Sequence, residues 1–131
     1  MFRRVKRGSS GQAMAEMAIV LPVFLLLLFG IIQFGIVFNH YLALTDAVRA
    51  GARTAAVSRH AACPVCLTKD RVKESAASLT LADGDITVTA SPGWETGADV
   101  TVTAKYPYAI NLLGVVVRSG NLTSTTVERV E

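Results

Sequence analysis

The sequence predicts an α+β protein in which a long N-terminal transmembrane helix continues as a periplasmic stalk and packs on a small antiparallel sheet. Three observations predict this layout: an uncharged run over residues 17–38, a proline-free segment rich in small residues over 44–58, and period-two alternation after about residue 86. The chain has 131 residues, of which 51% are apolar and 18% charged. Outside the leader and the span, roughly 90 residues remain, too few for the several βαβ units of a dinucleotide-binding domain.

The uncharged run has the length and composition of a membrane span. Its one strongly polar side chain is Gln33, and a helix of ~20 residues crosses the ~30 Å hydrocarbon core. Pro22 lies near the start of the run and predicts a kink that membrane helices tolerate. A cleaved secretory signal has an apolar region of only ~7–15 residues before a small-x-small site, whereas residues 39–42 are Asn-His-Tyr-Leu. A plain single-pass anchor is a further interpretation.

Charge predicts the orientation of this span. The net charge is +3, and Arg3, Arg4, Lys6 and Arg7 contribute four positive charges, so the rest of the chain, with nine basic and ten acidic side chains, is close to neutral. Lys and Arg beside a span stay on the cytoplasmic side, which places the N-terminus inside and the residues after about 38 outside, and in a bacterium that is the periplasm. The segment after the span shows no basic patch of the kind that nucleic acid requires, so no nucleic-acid partner is expected.

A single acidic residue, Glu16, opens the apolar helix. A carboxylate there costs a few kcal/mol unless it stays near the headgroups, where the helix N-terminus favours it, or finds a positive partner. The segment Gly11-Gln12-Ala13-Met14-Ala15-Glu16 resembles the processing site of type IV pilin-like precursors. In those proteins a membrane peptidase cuts after a Gly that follows a basic leader, and a Glu is the fifth residue of the product. The resemblance implies a leader over 1–11 and a cut between Gly11 and Gln12.

Four segments together resemble one family more closely. They are Gly11-Gln12-Ala13-Met14-Ala15-Glu16-Met17-Ala18, Leu21-Pro22, Gly30-Ile31-Ile32-Gln33-Phe34-Gly35 and Ala50-Gly51-Ala52-Arg53. This grouping is similar to the TadE-like family, minor pilin-like proteins of tight-adherence (Flp) pilus machinery, over residues 11–57. The resemblance implies an assembly or secretion role at the bacterial inner membrane. Its implied partners are the bilayer, other pilin-like subunits, the pilus secretion machinery and a prepilin peptidase, and it implies that Glu16 pairs with the new amino group of Gln12.

The helix is expected to continue beyond the membrane as a stalk. A continuous helix over 12–58 would be ~70 Å long at 1.5 Å per residue. Small residues recur on it at helical spacing, at Ala43, Ala47, Ala50, Gly51, Thr54 and Ala55. Such a stripe lets another backbone approach closely, and a stalk this poor in large apolar residues must pack on the C-terminal head or on a neighbour. We therefore expect packing through Ala47, Ala50, Gly51 and Thr54.

The two cysteines, Cys63 and Cys66, open the C-terminal head, residues 59–131. In an oxidising compartment a local disulfide is the default, and because it closes a very short loop it would mainly hold the turn. Two functional alternatives are a thiol oxidoreductase, which prefers a strand-to-helix setting, and a zinc site with His60, which lacks a fourth ligand in sequence. Haem attachment is excluded because Leu67 stands where a His is needed.

The rest of the head predicts one short helix and three strands. Residues 69–81 form an amphipathic helical pattern, and alternation predicts strands at 86–90, 99–106 and 122–130. The apolar insert 107–120 is compatible with a short helix, an apolar loop or a segment that dips toward the membrane. Three strands against the stalk helix suffice for a small α+β head.

The sequence contains no catalytic constellation and no glycine-rich phosphate loop, so we expect no enzyme activity, no cofactor, no metal and no small-molecule substrate. Two other functions compete with pilus assembly. One is a membrane-tethered periplasmic thiol oxidoreductase that uses Cys63 and Cys66. The other is an anchor for an unrelated binding head.

Overall fold

A computed structural model of the chain describes residues 9–112 and 114–131. The elements, in chain order, are α1 (Ser9–Val57), α2 (Pro64–Ser75), a 3-10 turn (Asp83–Asp85), β1 (Ile86–Ser91), β2 (Asp99–Leu112) and β3 (Val115–Arg129). The α+β fold class is confirmed: one long apolar helix precedes a three-stranded antiparallel sheet. The first eight residues of the basic leader lie outside the described residues.

The helix α1 continues from the apolar run into the stalk without interruption. It has 49 residues, which corresponds to a length of ~74 Å at 1.5 Å per residue. Pro22 lies inside it. Its most apolar stretch is entirely unburied, and its length and composition are sufficient to cross a membrane. A helix that is apolar around its whole circumference and not covered by protein is suited to lipid rather than water.

The C-terminal third of α1 forms the centre of the head. Leu44, Ala47, Val48, Ala52 and Ala55 are fully buried, and their spacing of three and four residues places them along one side of the helix. This side packs in one hydrophobic cluster with α2 and the inner face of the sheet. The other members of the cluster are Val72, Ala76, Leu79, Leu81, Ile86, Ala98, Val100, Val102, Ala104 and Val130.

The second helix lies earlier in the chain than the pattern over 69–81 predicts. Pro64 occupies the start of α2, where its missing N–H costs nothing, so this proline begins a helix. The Cys63 Sγ caps the helix by accepting the Cys66 N–H at 3.2 Å. The helix ends at Ser75, and the buried Leu79 and Leu81 belong to the connection that follows.

The sheet is a meander in the order β1-β2-β3. Val100, Val102 and Ala104 of the central strand are buried against the helices. The opposite face carries threonines in register, with Thr103 paired between Thr87 and Thr125. The Thr103 and Thr125 Oγ1 atoms lie 3.0 Å apart in a hydrogen bond. One packed and one solvated face explain the alternation in these strands.

Within the insert 107–120, residues 107–112 and 115–120 are strand and not helix or loop. They extend β2 and β3 into a two-stranded hairpin, because β1 pairs only as far as Ala104 while β3 continues to pair with β2. Pro107 pairs with Asn121 in this extension, where a missing donor is tolerated because one edge of the strand is free. Gly114, with φ +89°, lies in the connecting turn, a conformation that glycine adopts without steric cost.

An exposed ion pair ties α2 to the 3-10 turn. Lys73 Nζ pairs with the Asp83 carboxylate, and Lys69 Nζ donates to the Asp83 carbonyl oxygen at 2.9 Å. The hydrogen bond with Asp83 raises the pKa of Lys73 above its ordinary value. The same hydrogen bond lowers the pKa of Asp83 below its ordinary value.

These pKa shifts predict how Asp83→Asn changes stability with pH. Since the pKa of Asp83 is lowered in the folded state, its contribution is present above the unfolded pKa and is lost as pH falls through the folded pKa. Since the pKa of Lys73 is raised in the folded state, the contribution of Lys73 to stability is lost only as the pH rises through that raised pKa. Asp83→Asn should therefore lower the melting temperature slightly at pH 7, and the difference should disappear once the pH falls below the lowered pKa of Asp83.

Melting followed by Trp94 fluorescence measures this effect, since Trp94 packs against the core. The exposed Glu95 provides the control, because Glu95→Gln makes the same change in net charge. If Asp83→Asn lowers the melting temperature equally at pH 7 and at low pH, the loss of the ion pair is not the cause of the decrease.

Candidate functional site

The first turns of α1 bring the predicted processing and assembly residues together. Gly11, Gln12 and Glu16 are exposed residues of the helix. Gln12 Nε2 donates to Glu16 Oε1 at 3.2 Å, as the four-residue spacing on one helix face allows. The carboxylate that opens the apolar run therefore already contacts the residue that a cut after Gly11 would make the new N-terminus.

The apolar surface behind Glu16 is continuous. Every residue over 11–29 is exposed, including Phe24 at 57% and Leu27 at 63%. A soluble monomer rarely exposes an apolar surface of this extent, so this part of α1 needs either lipid or other protein chains around it.

The small-residue stripe is divided between the inside and the outside of the head. Ala47 and Gly51 are buried, while Ala50 and Thr54 are half-buried. A Cβ built at Gly51 would overlap Cγ2 of Val72 and would lie 3.4 Å from the Thr68 carbonyl oxygen. The absence of a side chain at Gly51 is therefore what lets α2 cross α1 closely. Ala50 and Thr54 leave part of the stripe accessible on the outer side.

The cysteines lie at the junction of α1 and α2. Their Sγ atoms are 1.96 Å apart, which is bonding distance, and the element before them is the helix α1 rather than a strand. Within the described part of the chain, no group of three or more His, Cys, Asp or Glu side chains could hold a metal ion. Beside them, His60 Nε2 accepts a hydrogen bond from Arg59 Nε at 2.9 Å.

If the disulfide only fixes the turn between α1 and α2, replacing both cysteines should lower the stability slightly and leave the function unchanged. For so short a loop the chain-entropy model gives about 2 kcal/mol at most. Cys63→Ser with Cys66→Ser should lower the melting temperature modestly and leave the head folded. Reductant should lower the melting temperature of the unchanged protein by a similar amount and should not affect the double variant. Catalysis of thiol–disulfide exchange by the unchanged protein, lost in a folded double variant, would point instead to a redox role.

Sequence reasoning missed the contact between the outer end of the span and the sheet. The rings of His40 and Tyr106 meet edge to face with centroids 5.5 Å apart, so the head contacts α1 two residues beyond the predicted span. A usable signal was the alternation of Tyr106, Tyr108 and Ile110, which are half-buried on one face of β2. This alternation predicts that the strand continues past Tyr106.

Among the described residues, an exposed apolar helix with an acid in its first turns continues into a small sheet-containing head. These features define a class of protein: an α+β protein with one helix long and apolar enough to cross a membrane. Within that class, the model of the TadE-like protein family matches residues 11–53, about a third of the chain. The match includes Glu16, the span and Gly51, and it confirms the resemblance noted from the motifs. That family is one of structural proteins associated with tight-adherence pili and is not known as enzymatic. No curated protein and no solved structure matches the chain.

Proposed function

We propose that this chain is a non-enzymatic minor pilin-like (pseudopilin) component that assists assembly or secretion of tight-adherence pili. It is held in the bacterial inner membrane by residues 17–38, with the N-terminus cytoplasmic and the head in the periplasm. One observation carries the proposal: the family match over 11–53 coincides with an unburied apolar helix. Glu16 lies at the start of that helix, hydrogen-bonded to Gln12.

The proposed mechanism begins with hydrolysis of the peptide bond between Gly11 and Gln12 by a prepilin peptidase. Water adds across the bond, the leader keeps the carboxylate of Gly11, and Gln12 gains a free α-ammonium group. In the uncut chain the neutral Gln12 amide donates to Glu16. After the cut, the ammonium group of Gln12 pairs with Glu16 in the same chain or in a neighbouring one. Hydrogen bonds between charged groups are roughly twice as strong as neutral ones, and pairing reduces the cost of an acid beside lipid.

The head then provides contacts to other pilin-like subunits or to the secretion machinery. The outer strands β1 and β3 form the two edges of the sheet, and unpaired strand edges are ready templates for pairing with another chain. Ala50 and Thr54 are the accessible part of the small-residue stripe and permit close approach of a second helix. Pro22 gives the span a site where it can bend.

Mass spectrometry of the protein purified from membranes that contain the peptidase tests the processing step. The expected product begins at Gln12 with a free amino group, and Gly11→Val should prevent its formation. Gly8→Ala is the control, since it changes the other glycine of the leader. An intact Met1 contradicts processing. A product lighter by one ammonia, in which Gln12 has cyclised and lost its charge, contradicts pairing through the new amino group.

A further inference from the structure

The far end of the β2–β3 hairpin is apolar on both faces. We define the hairpin tip as residues 110–112 and 114–118. Val115, Val116 and Val117 are 66%, 58% and 63% exposed, and three consecutive exposed valines depart from the alternation that a strand with one wet face requires. Beyond Ala104 the hairpin is a ribbon without β1. The tip therefore has no packed face within the head to account for its valines.

The direction of β2 carries this tip toward the membrane end of α1. At the end of the sheet opposite the tip, where β2 begins, the Glu131 N–H donates to the Ala56 carbonyl oxygen at 3.0 Å. Farther along β2, Tyr106 contacts His40. The strand β2 therefore runs antiparallel to α1 and toward the predicted span. The six residues after Tyr106 add up to ~20 Å at ~3.3 Å per residue.

The exposure of α1 is consistent with this direction. Gln33, Val37 and His40 are half-buried, whereas Phe34 and Phe38 are exposed. The spacing of the half-buried residues places them on the helix face that continues to Leu44 and the sheet. The tip thus lies at the level of the outer part of residues 17–38.

We propose that the hairpin tip enters the periplasmic leaflet of the bilayer, with Val115, Val116 and Val117 among the acyl chains of that leaflet. This inference rests on the proposed membrane anchoring of α1. Arg118, which follows the valines, is exposed and has a side chain long enough to reach toward anionic headgroups, and Tyr108 has the amphipathic ring typical of the interface. Since unpaired backbone groups of a ribbon are costly in hydrocarbon, only the tip enters and the part of the ribbon near Tyr106 stays among the headgroups.

This second membrane contact would limit rotation and tilt of the head about α1. The head would then present its two sheet edges in a fixed orientation relative to the membrane plane. A neighbouring subunit anchored in the same membrane would meet these edges at a constant height.

Depth-dependent fluorescence quenching tests the inference on the full chain. Cys63 and Cys66 are first replaced by Ser, and single cysteines labelled with an environment-sensitive dye are introduced as Val116→Cys, Val127→Cys or Phe24→Cys. Val127 is 55% exposed on the same strand but pairs with Thr101, far from the tip. The protein is reconstituted in vesicles of phosphatidylethanolamine and phosphatidylglycerol that contain nitroxide-labelled lipid.

The label at Val116 should be quenched by the lipid several-fold more than the label at Val127, and to an extent comparable with Phe24. Quenching at Phe24 but not at Val116 would overturn this inference and leave the anchoring intact. Absence of quenching at Phe24 would overturn the anchoring itself. A Val116 label protected from both the nitroxide lipid and aqueous iodide would show that another protein chain covers the tip. Val117→Cys serves as a second tip position, and Trp94 fluorescence verifies that each labelled head is folded.

Discussion

Gly51→Leu should lower the melting temperature of the head by about 15 °C. The leucine Cβ alone would overlap Cγ2 of Val72, and its remaining atoms would have to enter the contact between α1 and α2. Overpacking of this kind costs about 3 kcal/mol, and 1 kcal/mol shifts the melting temperature of a domain this small by ~4–8 °C. Thermal unfolding of the detergent-solubilised full chain, followed by the fluorescence of Trp94, measures the effect.

Two comparisons show whether the close approach of α1 and α2 at Gly51 is the cause of the lowered melting temperature. Arg53→Leu places the same side chain at an exposed position two residues away and should change stability by less than about 0.5 kcal/mol. Gly51→Ala should destabilise the unchanged protein, because the overlap outweighs the ~1 kcal/mol gain in helix propensity. In the Val72→Ala background, where Cγ2 is absent, Gly51→Ala should stop being destabilising. Equal effects of Gly51→Ala in both backgrounds would contradict the contact described here.

Glu16→Gln should reduce pilus assembly about 100-fold while membrane insertion stays unchanged. The substitution keeps the shape of the side chain and removes the charge that the ammonium group of Gln12 would neutralise. In the variant the ammonium group of Gln12 stays unpaired beside lipid, where an uncompensated charge costs ~2.5–3.5 kcal/mol, and each 1.4 kcal/mol is a factor of about ten in an association equilibrium. A neutral Gln enters the membrane at least as readily. Counting surface pili and measuring membrane-bound protein in the same cells separates the two effects.

The controls for this prediction vary charge and position independently. Glu16→Asp keeps the charge on a shorter side chain and should retain part of the assembly. Glu95→Gln removes a carboxylate from an exposed position of the head and should assemble normally. Normal pilus numbers in Glu16→Gln cells would contradict the charge-pairing role. Loss of the protein from the membrane would show that Glu16 acts in insertion instead.

The long helix and the core strands could be predicted because their patterns are local. The uncharged run over 17–38 and the proline-free stalk predict a helix over 12–58, and α1 covers Ser9–Val57. Alternation around Val100 and Val102 predicts β2, since both residues are buried on the same face of the sheet. The segments at 11–18, 21–22, 30–35 and 50–53 together predict the resemblance to the TadE-like family, whose model matches residues 11–53.

Two local patterns gave the wrong element because they permit more than one structure. The amphipathic pattern over 69–81 predicts the second helix too late in the chain, since α2 begins at Pro64, a residue that is favourable at the first helical position, and ends at Ser75. The apolar insert 107–120 has no single period, and its extension as a hairpin depends on pairing between residues such as Tyr108 and Gly120. Pairing between strands is a long-range interaction that the composition of one segment does not specify.

The sequence by itself determined the long apolar helix, the acid at its start and the strand character of the head, since each depends on the solvation and local geometry of consecutive residues. Only the tertiary structure decided that Gly51 is covered by Val72, whereas Ala50 remains accessible. It also decided that β2 runs past His40 toward the apolar part of α1. These arrangements arise because the stalk cannot bury its small apolar face alone, and the head folds over the side of α1 that carries Leu44 and Val48.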